Sequence, residues 1–218
     1  MHDRNTIQRF HHSELTESQL DELAAIARAA FAEYAADGIN MRDVTITADE
    51  LRESLAKGGE SVFIFLQKER PAGFCRGAVE QDGDLAFLRS EGIAVLPECR
   101  KRGVAASLIE HMEQWAVSCG AAYTRVDTAC HAAGARAFHR RCGNRNWYYM
   151  HFPGRAYLSI VMRKDFSAPL PAFQRQLRLY FSWLQVHALF TSKGGERLWL
   201  RLKNKLLGKG FLGSFHRR

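Results

Sequence analysis

Acidic residues are nearly absent from the C-terminal end of this chain of 218 residues. Residues 166–218 hold ten lysines and arginines but one acid, Glu196, a balance of +9. Residues 1–165 hold 21 basic and 22 acidic residues, a balance of −1. The formal charge of +8 therefore belongs to the tail, and the rest of the chain lacks the basic excess that nucleic-acid binding draws on. A disulfide pattern is also lacking. Five cysteines at irregular spacing suit a reducing compartment better than a stapled scaffold. Cys130, His131, His139 and Cys142 lack the paired short spacings of a zinc site, so no metal is expected. No apolar run approaches the ~18 residues of a membrane span. The opening "MHDRNTIQRFHHSEL" lacks the apolar stretch of a secretory leader, so the expected location is cytoplasmic. Internal repeats and low-complexity tracts are missing as well.

What is present is a regular alternation of strand and helix patterns. "TIQRF" (5–9) alternates as a strand. Thr16 and Gln19 form a capping-box pattern, followed by Leu20, Leu23, Ala24, Ala27, Phe31 and Tyr34 at helical spacing. Thr47 and Glu50 open a second, shorter helix. "SVFIFLQ" (61–67) reads as a buried strand, "AGFCRGAV" (72–79) follows across a Glu-Arg-Pro turn, and "LAFLRSEGIAV" (85–95) is the next strand. Val104, Leu108, Ile109, Met112 and Ala116 predict the clearest helix, ended by Gly120. A strand over 121–129, a short helix over 132–142 and a closing hairpin of "NWYYMHF" with "AYLSIVMRK" complete the domain. The order βααβββαβαββ predicts an α/β (α+β) fold with a central sheet.

The loop "LPECRKRG" between strand 85–95 and helix 104 is the first chemical candidate. The amides at a helix start are unpaired and the helix dipole favours an anion there. Gly103 permits close approach, Ala105 keeps the first turn uncrowded, and Arg100 and Arg102 offer charge-assisted bonds. The missing Gly-Lys-Ser/Thr excludes a nucleotide-triphosphate P-loop. "IAVLPECRKRGVAASLIEHMEQWA" resembles the acyl-CoA-binding motif of the GNAT acetyltransferase superfamily, V-x-P followed by R/Q-x-x-G-x-G/A and an amphipathic helix. Val95 and Pro97 supply its lead-in, and Arg100, Gly103 and Ala105 its three diagnostic positions. "AGARAFHRRCGN" (133–144) resembles the family's A-x-x-F/L-Y-x-x-x-G-F segment, with His139 in the place of the usual tyrosine and Asn144 in that of the phenylalanine. The asparagine often found before this helix has His131 or Ala132 in its region.

The resemblance covers about residues 5–165 in element order. It implies a GNAT-like mixed, mostly antiparallel sheet flanked by helices, and acetyl transfer from acetyl-CoA to an amine by direct attack in a ternary complex. Ile93, Ala94 and Val95 would align with the pantetheine, and Arg100, Lys101, Arg102, Gly103, Val104 and Ala105 would hold the pyrophosphate. The family's tyrosine often protonates the leaving sulfur, and His139, whose imidazole titrates near neutrality, takes that position; the alternative is a solvent-facing side chain. For a base, Glu91 is preferred over Asp127, with His131 third; either carboxylate equally suits an ion pair with Arg89 or Arg125. The acceptor walls implied are Tyr34, Asp37 and the run Trp147, Tyr148 and Tyr149.

The tail lies outside this resemblance. Phe173, Leu177, Tyr180, Phe181 and Leu184 recur at helical spacing. After Gly194-Gly195, Leu198, Trp199, Leu202 and Leu206 oppose Arg197, Arg201, Lys203 and Lys205. This basic amphipathic pattern suits an anionic membrane surface or a protein partner through residues 170–218, packing on the domain, or a homodimer arm. Its developed apolar face disfavours nucleic acid. The expected organisation is an acetyltransferase domain over 1–165 with a helical tail over 166–218. The expected acceptor is a small-molecule amine. The alternatives are acylation of a membrane-associated glycan or lipid precursor by an enzyme peripheral at the inner membrane surface, and a non-catalytic acyl-CoA-binding protein.

Overall fold

In the computed structural model, residues 5–36, 42–152, 155, 157–167 and 169–187 are described. Seven strands of the described residues form one sheet: β1 (Thr6–His11), β2 (Ser61–Gln67), β3 (Arg70–Asp82), β4 (Leu85–Val95), β5 (Tyr123–Ala129), β6 (Arg145–Met150) and β7 (Ser159–Asp165). Their spatial order is β1-β2-β3-β4-β5-β7-β6. Every pair is antiparallel except β4 with β5. Among the described residues five α-helices accompany the sheet: α1 (Glu17–Ala36), α2 (Ala48–Gly58), α3 (Val104–Ser118), α4 (Ala133–Arg141) and α5 (Ala172–His187). The expected mixed, mostly antiparallel sheet flanked by helices is the observed architecture.

The period-two alternation of strand side chains sends β2 into two cores at once. Val62 and Ile64 pack with Leu20, Leu23, Phe31, Leu51 and Leu55 of α1 and α2. Phe63 and Phe65 join Leu108, Met112 and Ala116 of α3. Cover on both faces explains why "SVFIFLQ" is almost continuously apolar. The predicted caps form: Gln19 N–H donates to Thr16 Oγ1 at 3.3 Å and Glu50 N–H to Thr47 Oγ1 at 3.2 Å, each reciprocated from the threonine N–H. The β2–β3 turn falls at Lys68-Glu69, both left-handed (φ 52° and 63°), and Pro71 lies inside β3. A two-residue hairpin turn with both φ positive matches strand twist, and that requirement overrides the turn signal of the Glu-Arg-Pro sequence.

Two features of β4 shape the middle of the sheet. Phe74 faces Ala94 and Arg76 faces Glu91, so Gly92 and Ile93 together oppose Cys75, which is a β-bulge. Gly92 sits at φ 52°, and a Cβ there would come within 2.6 Å of the Arg76 Nε. Past the bulge, β4 and β5 separate. Their parallel ladder runs from Phe87↔Tyr123 to Ser90↔Val126 and goes no further, while β5 stays paired with β7 as far as Ala129.

The first half of the tail is α5, which lies on β6. The Ser182 hydroxyl, fully buried, accepts from Tyr149 N–H at 2.9 Å and donates to Leu179 O at 2.9 Å. Leu179 packs with Val126, Ile160 and Met162, and the Arg178 guanidinium stands 4.1 Å from the centre of the Trp147 ring. Among the described residues no helix is long and apolar enough to cross a membrane. Residues 188–218, including the predicted basic helix, lie outside the described residues.

Candidate active site

Where β4 and β5 part, a cleft of about 360 Å³ opens. Ile93 and Val95 of β4, Asp127, Thr128 and Ala129 of β5, and Phe138 and His139 of α4 line it. Phe31 and Tyr34 of α1 form another wall, and Arg100 and Ala105 stand at one end. The β4 residues past the bulge are bonded to β3 on one edge and have no ladder to β5 on the other. That edge offers peptide groups to an extended ligand, since backbone N–H and C=O groups without partners take up whatever donor or acceptor comes within reach.

The loop leading to α3 is open to an anion. Among the described residues no side chain caps α3, its first turn carries no acid, and Ser107 N–H to Gly103 O at 2.9 Å closes the first helical turn. The amides before Ser107 are thus without intrahelical partners. Lys101 (φ 60°) and Gly103 (φ 84°) are left-handed, and alternation of this kind shapes backbone into anion-binding concavities. Lys101, Arg102 and Gly103 are exposed. Arg100 is engaged otherwise: it donates to Ala30 O at 2.6 Å and Val95 O at 3.4 Å and pairs with Glu33 at 3.0 Å. Its guanidinium ties the loop to α1. Of the other sequence candidates, Val104, the first residue of α3, is buried with Phe63 and Leu108, and Ala94 packs its methyl into the α1 core while its backbone pairs with Phe74.

His139 is buried rather than solvent-facing, 6% exposed, and its Nδ1 has no hydrogen-bond partner among the described residues. Burial lowers its pKa to about 4, so the ring is neutral at pH 7, which differs from the near-neutral titration of a free imidazole. Glu91 and Asp127 both face the cleft, and both are ion-paired. Burial opposes the Glu91 charge, but Arg89 at 2.5 Å, helped by Arg76, holds its pKa below the ordinary carboxylate value. Asp127 pairs with Arg155, not Arg125; burial raises its pKa against the pull of Arg155. Arg125 lies 4.3 Å above the Phe87 ring and acts on the carboxylate only as a more distant charge. Burial thus pushes the Asp127 carboxyl up while the arginines hold Glu91 down.

Beneath this floor lies an ionic cluster that the sequence pattern did not reveal. Glu60, 1% exposed, accepts from Arg76 at 3.1 Å and Arg89 at 2.8 Å. Arg76 also bonds Ser54 at 2.9 Å and lies 3.6 Å from Asp43; Arg89 reaches Glu80 at 2.5 Å. Burial raises the Glu60 pKa, with Arg76 opposing it. Two guanidiniums shared among several carboxylates keep each charge compensated away from water. Arg76, Asp43, Arg155 and Tyr157 all line the cleft and were missed. An arginine inside an apolar strand beside a glycine was the available sign for Arg76; Arg155 and Tyr157 had none.

Other expected residues lie elsewhere. Trp147 and Tyr148 pack with Phe87, Tyr123 and Val161 and do not line the cleft, because β6 is the sheet edge that α5 covers. His131 is exposed beside Tyr157 at 6.0 Å between ring centres. Asp37 lies outside the described residues. Among the described residues no cluster of three His, Cys, Asp or Glu side chains is placed to hold a metal ion.

Two parallel strands that diverge around a cleft, with an open helix start at its end, define a protein built to hold a long, anionic ligand in extended form. The chain belongs to the acetyltransferase (GNAT) family, whose sequence model matches residues 22–143. Solved structures of the same fold include the PaiA N-acetyltransferase of Thermoplasma acidophilum in complex with coenzyme A, at 13% identity and TM-score 0.56, covering 74% of this chain and 99% of that one. Escherichia coli ElaA has 19% identity and TM-score 0.55, with 74% and 100% covered. The ribosomal-protein-S18-alanine N-acetyltransferase of Escherichia coli has 19% identity and TM-score 0.53, with 78% and 98% covered. No curated protein matches the chain.

Proposed function

We propose that residues 1–165 transfer an acetyl group from acetyl-CoA to the amine of a small-molecule acceptor. The observation that carries this reading is the free edge of β4 beyond the bulge, which runs beside the cleft toward the loop before α3. Ile93, Ala94 and Val95 would bond the pantetheine through their backbone. The amides of Arg102 to Ala105, with the Lys101 and Arg102 charges, would hold the pyrophosphate. Arg100 acts by fixing the loop against α1.

The amine nitrogen bonds to the thioester carbon, the C–S bond breaks, and the electron pair leaves with sulfur. A backbone N–H near Val95 meets the developing oxyanion. We assign the amine's proton to Asp127, directly or through water, because burial raises the proton affinity of its carboxylate whereas Arg89 and Arg76 lower that of Glu91. Glu91, held by Arg89, then serves to keep the acceptor end anionic and attractive to a cationic amine. His139, neutral at pH 7, offers a hydrogen bond to the departing thiolate rather than acting as an imidazolium acid.

The test is release of free thiol from acetyl-CoA by the full-length protein across a panel of amino sugars, polyamines and amino acid derivatives, with thermal shift measured alongside. Thiol release with one acceptor class and thermal stabilisation by acetyl-CoA are expected. Stabilisation without thiol release on any amine would favour the non-catalytic acyl-CoA-binding alternative. No stabilisation would overturn both.

A further inference from the structure

The carboxylates that line the cleft are each matched by a guanidinium. Glu33 is paired with Arg100 at 3.0 Å, Asp43 with Arg76 at 3.6 Å, Glu91 with Arg89 at 2.5 Å, and Asp127 with Arg155. Among the described residues no carboxylate of the lining is left over, and a receptor for several ammonium groups depends on such a surplus. Two of these arginines are committed to the fold. Arg76, 6% exposed, is held by Glu60 at 3.1 Å and Ser54 at 2.9 Å, and Arg100 by the carbonyls of Ala30 and Val95. Arg155 is placed differently. Its side chain is 35% exposed. Among the described residues both of its hydrogen bonds, to Asp127 and to Ser159 Oγ at 3.2 Å, leave from Nη1.

A guanidinium carries its N–H donors in a fixed plane, and a carboxylate takes two of them side by side. With Nη1 turned to Asp127 and Ser159, the Nε and Nη2 edge of Arg155 is the one with donors to offer. The rings of Phe152 and Tyr157, centred 4.3 and 5.8 Å from its guanidinium carbon, hold that plane, so little side-chain freedom is left to lose on binding. Arg155 and Asp127 thus present a cation and an anion side by side in the cleft. An α-amino acid carries the complementary charges on one carbon. We propose that the acceptor is an α-amino acid, its carboxylate gripped by the open edge of Arg155 and its amine delivered to Asp127, an inference that rests on the acetyl-transfer reading above. Arg155 is then the residue that sets specificity, because an amine with no carboxylate beside it leaves the fork unmatched. In the transfer the amine nitrogen bonds to the acetyl carbon, sulfur leaves with the electron pair, and the amine's proton passes to Asp127. The carboxylate stays on Arg155 unchanged.

The experiment is free-thiol release from acetyl-CoA by the full-length protein on the common L-amino acids, their C-terminal amides, spermidine and glucosamine, with wild type and Arg155→Lys. At least one amino acid is expected to react with a kcat/KM on the order of 100-fold above that of its amide. Arg155→Lys keeps a positive charge beside Asp127 but loses the fork. It is expected to raise the KM for that amino acid about tenfold or more, with kcat changed less, and to shrink the preference over the amide. Its thermal shift with acetyl-CoA, the folding control, is expected at the wild-type value. Amides that react as well as the acids, or turnover of spermidine or glucosamine without any amino acid, overturn the proposal and leave acetyl transfer standing. A preference for acid over amide that survives Arg155→Lys unchanged overturns it likewise. Thiol release on none of these amines overturns the transfer reading itself, and this proposal with it.

Discussion

Replacing His139 by phenylalanine removes a titratable ring from a buried site, and its effect on stability is a function of pH. Folding lowers the His139 pKa from its ordinary 6.5 to about 4 by burial. At about 1.4 kcal/mol for each tenfold change in proton affinity, that drop is worth about 3 kcal/mol. The direction follows from which state binds the proton. Between pH 6.5 and 4 the unfolded chain carries an imidazolium and the folded protein a neutral ring, so unfolding takes up a proton. The contribution is fully present above pH 6.5 and is lost as pH falls through the folded value near 4. Of the total, about 2 kcal/mol is already gone at pH 5. The assay is urea denaturation of wild type and His139→Phe, followed by tryptophan fluorescence, at intervals from pH 7.5 to about 4.5. Packing differences shift the two curves by a constant, so the pH dependence of their separation isolates the imidazole. A separation that stays flat across this range would refute the burial of a neutral His139, and with it the hydrogen-bonding role assigned to it.

Gly92→Ala is expected to cost about 2–4 kcal/mol in urea denaturation, because the new Cβ meets the Arg76 Nε at 2.6 Å on a backbone already at φ 52°. Gly103→Ala meets no neighbouring atom, so its penalty of about 1–2 kcal/mol is one of backbone conformation alone. Isothermal titration should show weaker acetyl-CoA binding for Gly103→Ala, with Gly103→Asn closer to wild type. Ser182→Ala leaves the Tyr149 N–H without its acceptor and should lower stability by about 1–2 kcal/mol, read from thermal denaturation, with the KM for acetyl-CoA unchanged.

Local patterns carried the fold. The threonine caps, the stepping of Leu108, Met112 and Ala116, and the apolar run of β2 each report a preference settled by neighbours in sequence. The loop before α3 was equally legible, since a strand end, a glycine and a helix start are contiguous there. The floor of the cleft was not. Glu60 meets Arg76 across 16 residues and Arg89 across 29, and Arg155 reaches Asp127 across 28. No periodicity records such long-range pairs. The protonation of His139 was hidden for a related reason: the motif gives its position, whereas its burial depends on what the rest of the chain packs around it. The aromatic run Trp147–Tyr149 shows the opposite failure, a conspicuous pattern whose cause is the core under α5.

Arg100 joins two parts of the molecule that the sequence sets 70 residues apart. Its guanidinium grips Ala30 in the body of α1 while its own backbone belongs to the loop before α3. Phe31 and Tyr34, one and four residues further along α1, are walls of the cleft. Loop and wall are thus tied to each other through one side chain. The same guanidinium that fixes the loop at one end of the cleft therefore also fixes the wall that the other substrate would meet.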